Sequence, residues 1–227
     1  KKRDGSEPPL RLLSVLKEDG DHVLQGVIAC TSQACQREYP IVDGVPLLVP
    51  NLREYVANHI ASIRERWDVE PVLESILGDC CGPGSAMDVT RQYLSNYGAD
   101  HYGDLDPVTP SESSVVQVLQ KGLSNLGSTP DGPILDVGCS VGRTSFELAS
   151  QRNGLVLGVD LNFSMLRVAA HALRAGRVRY PRRRVGIVYD ERNFEVELEG
   201  ADRVDFWLCD AAWLPFHSGT FAAISSL

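Results

Sequence analysis

The segment Ile134-Leu135-Asp136-Val137-Gly138-Cys139-Ser140-Val141-Gly142-Arg143 brings together the residue types that can do chemistry in this chain. An apolar run ends on an acid, a loop follows with glycine at both of its ends, and a helical pattern then begins. Glycine lets a ligand come close to the backbone, and the first turn of a helix leaves N–H groups without internal partners. Strand, glycine loop and helix start make a ligand cradle, although a glycine loop alone also fits a tight packing turn. Two further acids narrow the choice. Asp160 ends the next apolar run, where a carboxylate accepts hydrogen bonds from both hydroxyls of a ribose. Asp210 ends a third, where it can accept from an adenine amino group while the N–H of Ala211 faces a ring nitrogen. Asp136 would repel a pyrophosphate but suits an ammonium and a sulfonium. The Gly-x-x-x-Gly spacing also departs from Gly-x-Gly-x-x-Gly. Three acids at three strand ends describe a site for S-adenosylmethionine.

The elements that must position these residues alternate. Ile134 to Val137 reads as a strand, Arg143 to Arg152 as a helix, Leu155 to Asp160 as a strand and Ser164 to Ala175 as a helix. This alternation predicts a parallel α/β sheet with right-handed crossovers. Strands over Val204 to Cys209 and Phe221 to Ile224 follow. In the insert between them and the second helix, Val185 to Tyr189 and Phe194 to Leu198 read as a hairpin around Asp190 to Asn193. Upstream, His22 to Cys30 and Ile41 to Val49 read as short strands, the latter divided by an Asp43-Gly44 turn. Leu52 to Leu77 carries apolar residues at helical spacing and is expected to break before Pro71. A further helix is expected from Ser111 to Leu126, after a segment that carries Tyr93, Tyr97 and Tyr102. Loop-forming clusters at Gly82 to Ser85 and Gly127 to Pro133 mark boundaries. The domains expected are a small β-rich unit at 1–50, a helical connector and possible cofactor lid at 51–129, and a cofactor-binding Rossmann-like domain at 130–227.

These residues resemble the class I S-adenosylmethionine-dependent methyltransferases, in particular the branch of the ubiquinone and menaquinone methyltransferases. The resemblance rests on Leu135 to Gly142, Gly158 to Leu166, Cys209-Asp210-Ala211 and Leu214 to Phe221. It implies that Gly138 with Cys139, Ser140, Gly142 and Asp136 holds the methionine moiety, and that Asp160 holds the ribose. It further implies Leu161 and Met165 on the adenine faces, and Asp210 with Ala211 on the adenine edge. Ser140 stands where glycine is usual. No universal catalytic side chain is implied, because alignment of the acceptor with the methyl group supplies much of the catalysis. The family has seven strands, so the chain, which starts without methionine and stops inside an apolar strand, is expected to be an incomplete catalytic unit with its sheet truncated after the fourth strand. The first fifty residues more loosely resemble the zinc-ribbon-like domain of the methyltransferase-activator family, through Cys30, Cys35 and Glu38 to Leu48. One cysteine pair falls short of the four ligands a ribbon needs, so this unit is expected to be metal-free.

The chain has 227 residues, 43% of them apolar, and a net charge of −8. That content supports a folded core, and the charge is unsuited to a nucleic acid or an anionic membrane except through a local patch. Arg174, Arg177, Arg179, Arg182, Arg183 and Arg184 form one such patch. Pairing with the acids of 190–205 is the preferred reading of it, and an RNA backbone the alternative. No apolar run is long enough for a membrane span, no secretory leader is visible, and six scattered cysteines do not make a disulfide framework, so a cytoplasmic protein is expected. The acceptor expected is a small molecule, with a ribosomal or transfer RNA base second and a non-catalytic scaffold third.

Overall fold

Four strands open the chain as an antiparallel meander: β1 (Leu10–Asp19), β2 (His22–Cys30), β3 (Glu38–Val42) and β4 (Val45–Leu48). The computed structural model describes residues 8–67, 69–126 and 131–227. The Asp43-Gly44 turn joins β3 to β4, both residues having positive φ as a tight hairpin requires. Three helices follow, α1 (Leu52–Arg64), α2 (Pro71–Cys81) and α3 (Ala86–Tyr102), and after a 3-10 turn at Gly103–Leu105 comes α4 (Ser114–Asn125). The expected break before Pro71 is there, with proline in the first turn of α2 where its missing N–H costs nothing. Ser85 and Ser113 cap α3 and α4 by accepting from the N–H groups of Asp88 and Val116. Of the boundary expected at Gly127 to Pro133, residues 127–130 lie outside the described residues, as do Lys1 to Glu7.

The remaining elements are β5 (Ile134–Val137), α5 (Arg143–Gln151), β6 (Val156–Asp160), α6 (Phe163–Ala175), β7 (Arg177–Val185), β8 (Val188–Glu195), β9 (Val204–Cys209) and β10 (Ala223–Ser225). Eight strands form one sheet in the order β1-β2-β3-β4-β9-β6-β5-β10, parallel from β4 through β10. The meander of the first fifty residues is thus continuous with the α/β sheet: β4 pairs with β9, Leu47 opposite Leu208 and Leu48 opposite Cys209. Its apolar residues Val45 and Leu47 are fully buried in the same core as α5 and α6.

Two packing layers hold the site. On the helical face, Phe206 of β9 lies edge-on to Phe146 of α5, ring centres 5.4 Å apart. On the other face, Leu48, Leu135, Val159 and Cys209 are covered by the chain that follows β9, where Phe216 stacks on Trp207 and meets Phe221 edge-on. Phe221 is spent on that contact, so β10 begins two residues later than the apolar pattern implies. Full burial of Phe146 and of Phe206 contributes about 1.5–3 kcal/mol each.

The hairpin differs from expectation. Its turn falls at residues 186–187, and Asp190 to Asn193 lie inside β8, opposite β7. The charged residues are cross-strand partners: Arg177 meets Glu195 at 2.7 Å, Arg179 meets Glu191 at 2.7 Å, and Arg184 meets Asp190 at 2.8 Å.

Candidate functional site

The glycine loop lies between the end of β5 and the start of α5, beside the ends of β6 and β10. The chain order reverses there, because β5 has β6 on one side and β10 on the other. Open parallel sheets place ligands at this point. The loop is pinned to β6, since the N–H groups of Gly138 and Cys139 both donate to the carbonyl of Val159, at 2.8 and 3.2 Å. Gly138, Ser140 and Gly142 have φ of 78°, 54° and 89°. A side chain at Gly142 would collide, its Cβ falling 2.7 Å from both Ala169 Cβ and Phe206 Cζ. A Cβ at Gly138 would meet nothing within 4 Å, so the backbone there is open to close approach.

Asp160 ends β6 half-buried and points back to the loop. Its Oδ2 accepts from the Ser140 N–H at 3.0 Å, and its Oδ1 from the Asn162 N–H at 2.8 Å. Ser140 takes the left-handed conformation that glycine adopts without strain, and its hydroxyl donates to the Met165 sulfur at 3.2 Å. Met165 is buried within the main core, whereas Leu161 is 46% exposed beside Asp160. Of the two residues expected at the adenine faces, only Leu161 presents an open surface. Asp210 follows β9 and caps the short turn Ala211–Trp213 by accepting from the Ala212 N–H, with Ala211 exposed.

Asp136 is more enclosed than the sequence indicates, with 2% of its surface exposed. Its Oδ2 accepts from the hydroxyls of Thr144 and Ser145, at 2.6 and 2.7 Å. Burial raises its pKa against the lowering effect of these hydroxyls and of Ser225, and the charge of Asp160 adds to the rise. The carboxylate lies at the positive end of α5, which favours its charged form. Cys139 beside it is buried, and burial with the nearby Asp136 and Asp160 charges raises its thiol well above the ordinary range. It is a packing residue rather than a nucleophile.

Residues not named among the expected cofactor ligands fasten this site. Tyr55 of α1 donates its hydroxyl to the Leu161 carbonyl at 2.7 Å, and burial chiefly pushes its pKa up to about 12. Tyr102 of α3, fully buried, donates to the Val141 carbonyl at 2.8 Å. Arg143, at the start of α5, forms a fork with Asp104, at 2.9 and 3.0 Å, and pairs with Glu147 at 2.8 Å. The segment expected as a lid therefore grips the loop from behind through Tyr102, whereas Tyr93 and Tyr97 are exposed.

His101, next to Tyr102, is 4% exposed, and burial chiefly, with the Arg143 charge, lowers its pKa to about 4. An unfolded chain would take up the proton near 6.5 and the folded one near 4. Stability associated with this residue is therefore lost as pH falls between those values, by about 3 kcal/mol in full. Urea unfolding at pH 7 and 4.5 should show His101→Phe losing less stability on acidification than the parent, by about 2 kcal/mol. Equal losses would mean that His101 stays accessible to protons.

Cys30 ends β2 and Cys35 lies in the turn after it, while Cys80 and Cys81 end α2, exposed. Among the described residues no group of three or more His, Cys, Asp or Glu side chains is arranged to hold a metal. No helix among them is long and apolar enough to cross a membrane.

A largely parallel sheet with a glycine loop after one strand and an acid at the end of the next is a Rossmann-like arrangement. Residues 134–186 match the family model described as a methyltransferase domain, a stretch that contains both the loop and Asp160. The stretch is similar to a methyltransferase domain, a class of protein that takes S-adenosylmethionine as its cofactor. No curated protein matches the chain. Among solved structures, the chain is similar to the MccD protein, with 18% identity, 48% of this chain and 38% of that one covered, and a TM-score of 0.34. It is also similar to Haemonchus contortus phosphoethanolamine N-methyltransferase 2 in complex with S-adenosyl-L-methionine, at 22% identity, 60% and 28% coverage and a TM-score of 0.40. A third is geranyl diphosphate C-methyltransferase from Streptomyces coelicolor A3(2), at 19% identity, 76% and 54% coverage and a TM-score of 0.38. The chain thus spans 28% to 54% of the length of these three proteins.

Proposed function

We propose that this chain carries the cofactor site of a class I enzyme that transfers a methyl group from S-adenosylmethionine to a small-molecule acceptor, in the manner of the quinone methyltransferase branch. The observation that carries the reading is the pairing of an open backbone at Gly138 with a half-buried carboxylate at Asp160, linked through the Ser140 N–H. That donor set fits the group: Gly138 with Cys139 and Ser140 would line the methionine portion, Asp160 the ribose, Leu161 one face of the adenine, and Asp210 with Ala211 its edge. When bound, the cofactor supplies a methyl group on a positively charged sulfur. The chain's part is to orient it and to keep negative charge nearby, through Asp136 and Asp160. The first fifty residues are read as a metal-free remnant of a ribbon-like domain, now serving as strands of the sheet.

A small acceptor is favoured over RNA because Arg177, Arg179 and Arg184 are held in ion pairs across the hairpin, and Arg174 lies 3.5 Å from Asp19. Paired guanidiniums release fewer counterions from a phosphate backbone. Incubation with S-adenosylmethionine labelled in the methyl group, together with a cellular small-molecule extract or with total RNA, tests the reading. Label is expected in the extract alone. Label in RNA would replace the small-molecule reading, and label in neither, with the cofactor bound, would favour a scaffold.

A further inference from the structure

A cavity of about 360 Å³ lies outside the cofactor cradle, between α2, α3, α6 and the β7–β8 hairpin, and shares no residue with the cradle. Its size is within the range of small-molecule sites. Trp67, Leu77, Leu94 and Tyr180 give it apolar walls. Among the described residues its charged lining has four arginines, including Arg91 and Arg167, and three glutamates.

Arg91 is the informative residue. It is 6% exposed, and its Nε has no hydrogen-bond partner. Its ion-pair partner Glu74 places Oε1 3.9 Å from that Nε, beyond hydrogen-bond reach. Its guanidinium carbon lies 4.2 Å from the centre of the Tyr189 ring. Neither this cation–π contact nor a carboxylate at 3.9 Å supplies the hydrogen bond that the buried Nε lacks. The other acids are already engaged: Glu65 pairs with Arg167 at 3.0 Å and Glu191 with Arg179 at 2.7 Å. Two more buried donors of the same lining, Trp67 Nε1 and Arg167 Nε, also have no acceptor. Buried donors are almost always satisfied in native proteins, so three around one cavity point to an acceptor that enters it.

We propose that this cavity is a binding site for an organic anion with one carboxylate or phosphate head and an apolar body, the head seated on Arg91 and the body along Leu77, Leu94 and Tyr180. The inference goes beyond methyl transfer and does not depend on it. Titration calorimetry with decanoate, decyl phosphate and decanol, each below its aggregation limit, tests it. At least one of the two anions should bind saturably, one per chain, and at least tenfold more tightly than decanol; which anion binds more tightly identifies the head group. Arg91→Met should weaken that anion at least tenfold while raising the melting temperature of the free protein, because it removes a buried charge whose ion pair with Glu74, at 3.9 Å, makes no hydrogen bond. Leu77→Trp, at the partly exposed edge of the cavity, should also abolish binding and serves if Arg91→Met fails to fold. S-adenosylhomocysteine affinity should be the same in both variants as in the parent, which separates failure of this site from failure of the cofactor site. Saturable binding of neither anion, equal affinity for decanol, or undiminished binding in the variants would overturn the proposal.

Discussion

Gly142→Ala should destabilise the protein by about 3 kcal/mol or more, combining the strain of a side chain at positive φ with overpacking of a closed site. The φ of 89° excludes relief by a small backbone adjustment, and the new methyl would press on both Ala169 and Phe206. Phe206 cannot yield easily, because it is 1% exposed and braced against Phe146. A chain of this size should lose roughly 6–12 °C in melting temperature for 3 kcal/mol. Gly138→Ala makes the contrast. Its φ of 78° costs about 1–2 kcal/mol for a non-glycine residue, yet its Cβ meets no neighbour. It should leave a folded protein whose cradle is narrowed where a ligand comes close, so S-adenosylhomocysteine binding should fall out of proportion to the stability loss. Thermal melts and calorimetry on the two variants check both outcomes. A Gly142→Ala protein as stable as the parent would mean that the loop repacks freely.

Asp160→Ala should weaken S-adenosylhomocysteine binding about 10- to 100-fold, the equivalent of about 1.5–3 kcal/mol for a charged hydrogen bond. The carboxylate has two duties on this account. It offers oxygens to the ribose, and it holds the loop by accepting from the Ser140 N–H. Asp160→Asn retains a carbonyl acceptor for one of these contacts, so it should fall between the parent and the alanine variant. Identical dissociation constants for all three proteins would locate the ribose elsewhere.

The β5-loop-α5-β6-α6 unit was legible almost to the residue because its signals are local. Apolar runs of strand length alternate with helical stripes, the glycine loop separates them, and Asn162 and Gly176 close the ends of α6. Long-range pairing was not legible. Val45 to Leu48 reads as a short apolar strand whatever its neighbour, and nothing local specifies Leu208 and Cys209 as partners. The hairpin slipped because Asp190 to Asn193 has the composition of a turn, whereas its side chains are the counter-charges of β7. In the site, the acids at strand ends were readable, but their present partners were not. Thr144 and Ser145 enclose Asp136, and two hydroxyls just past a glycine loop were the available signal. Tyr55 and Tyr102 reach the cradle loops from distant helices, a contact that depends on tertiary packing alone.

The cofactor identity turns on charge. On this account the carboxylates of Asp160, bonded to the loop, and of Asp136, bonded to Thr144 and Ser145, suit a cationic sulfonium and an ammonium group and oppose a pyrophosphate. Parallel calorimetric titrations with S-adenosylmethionine and NAD measure this directly. The account predicts saturable binding of S-adenosylmethionine, one per chain, that is lost or strongly weakened in Asp160→Ala, with NAD binding far more weakly; NAD binding as tight as S-adenosylmethionine, or tighter, would contradict it.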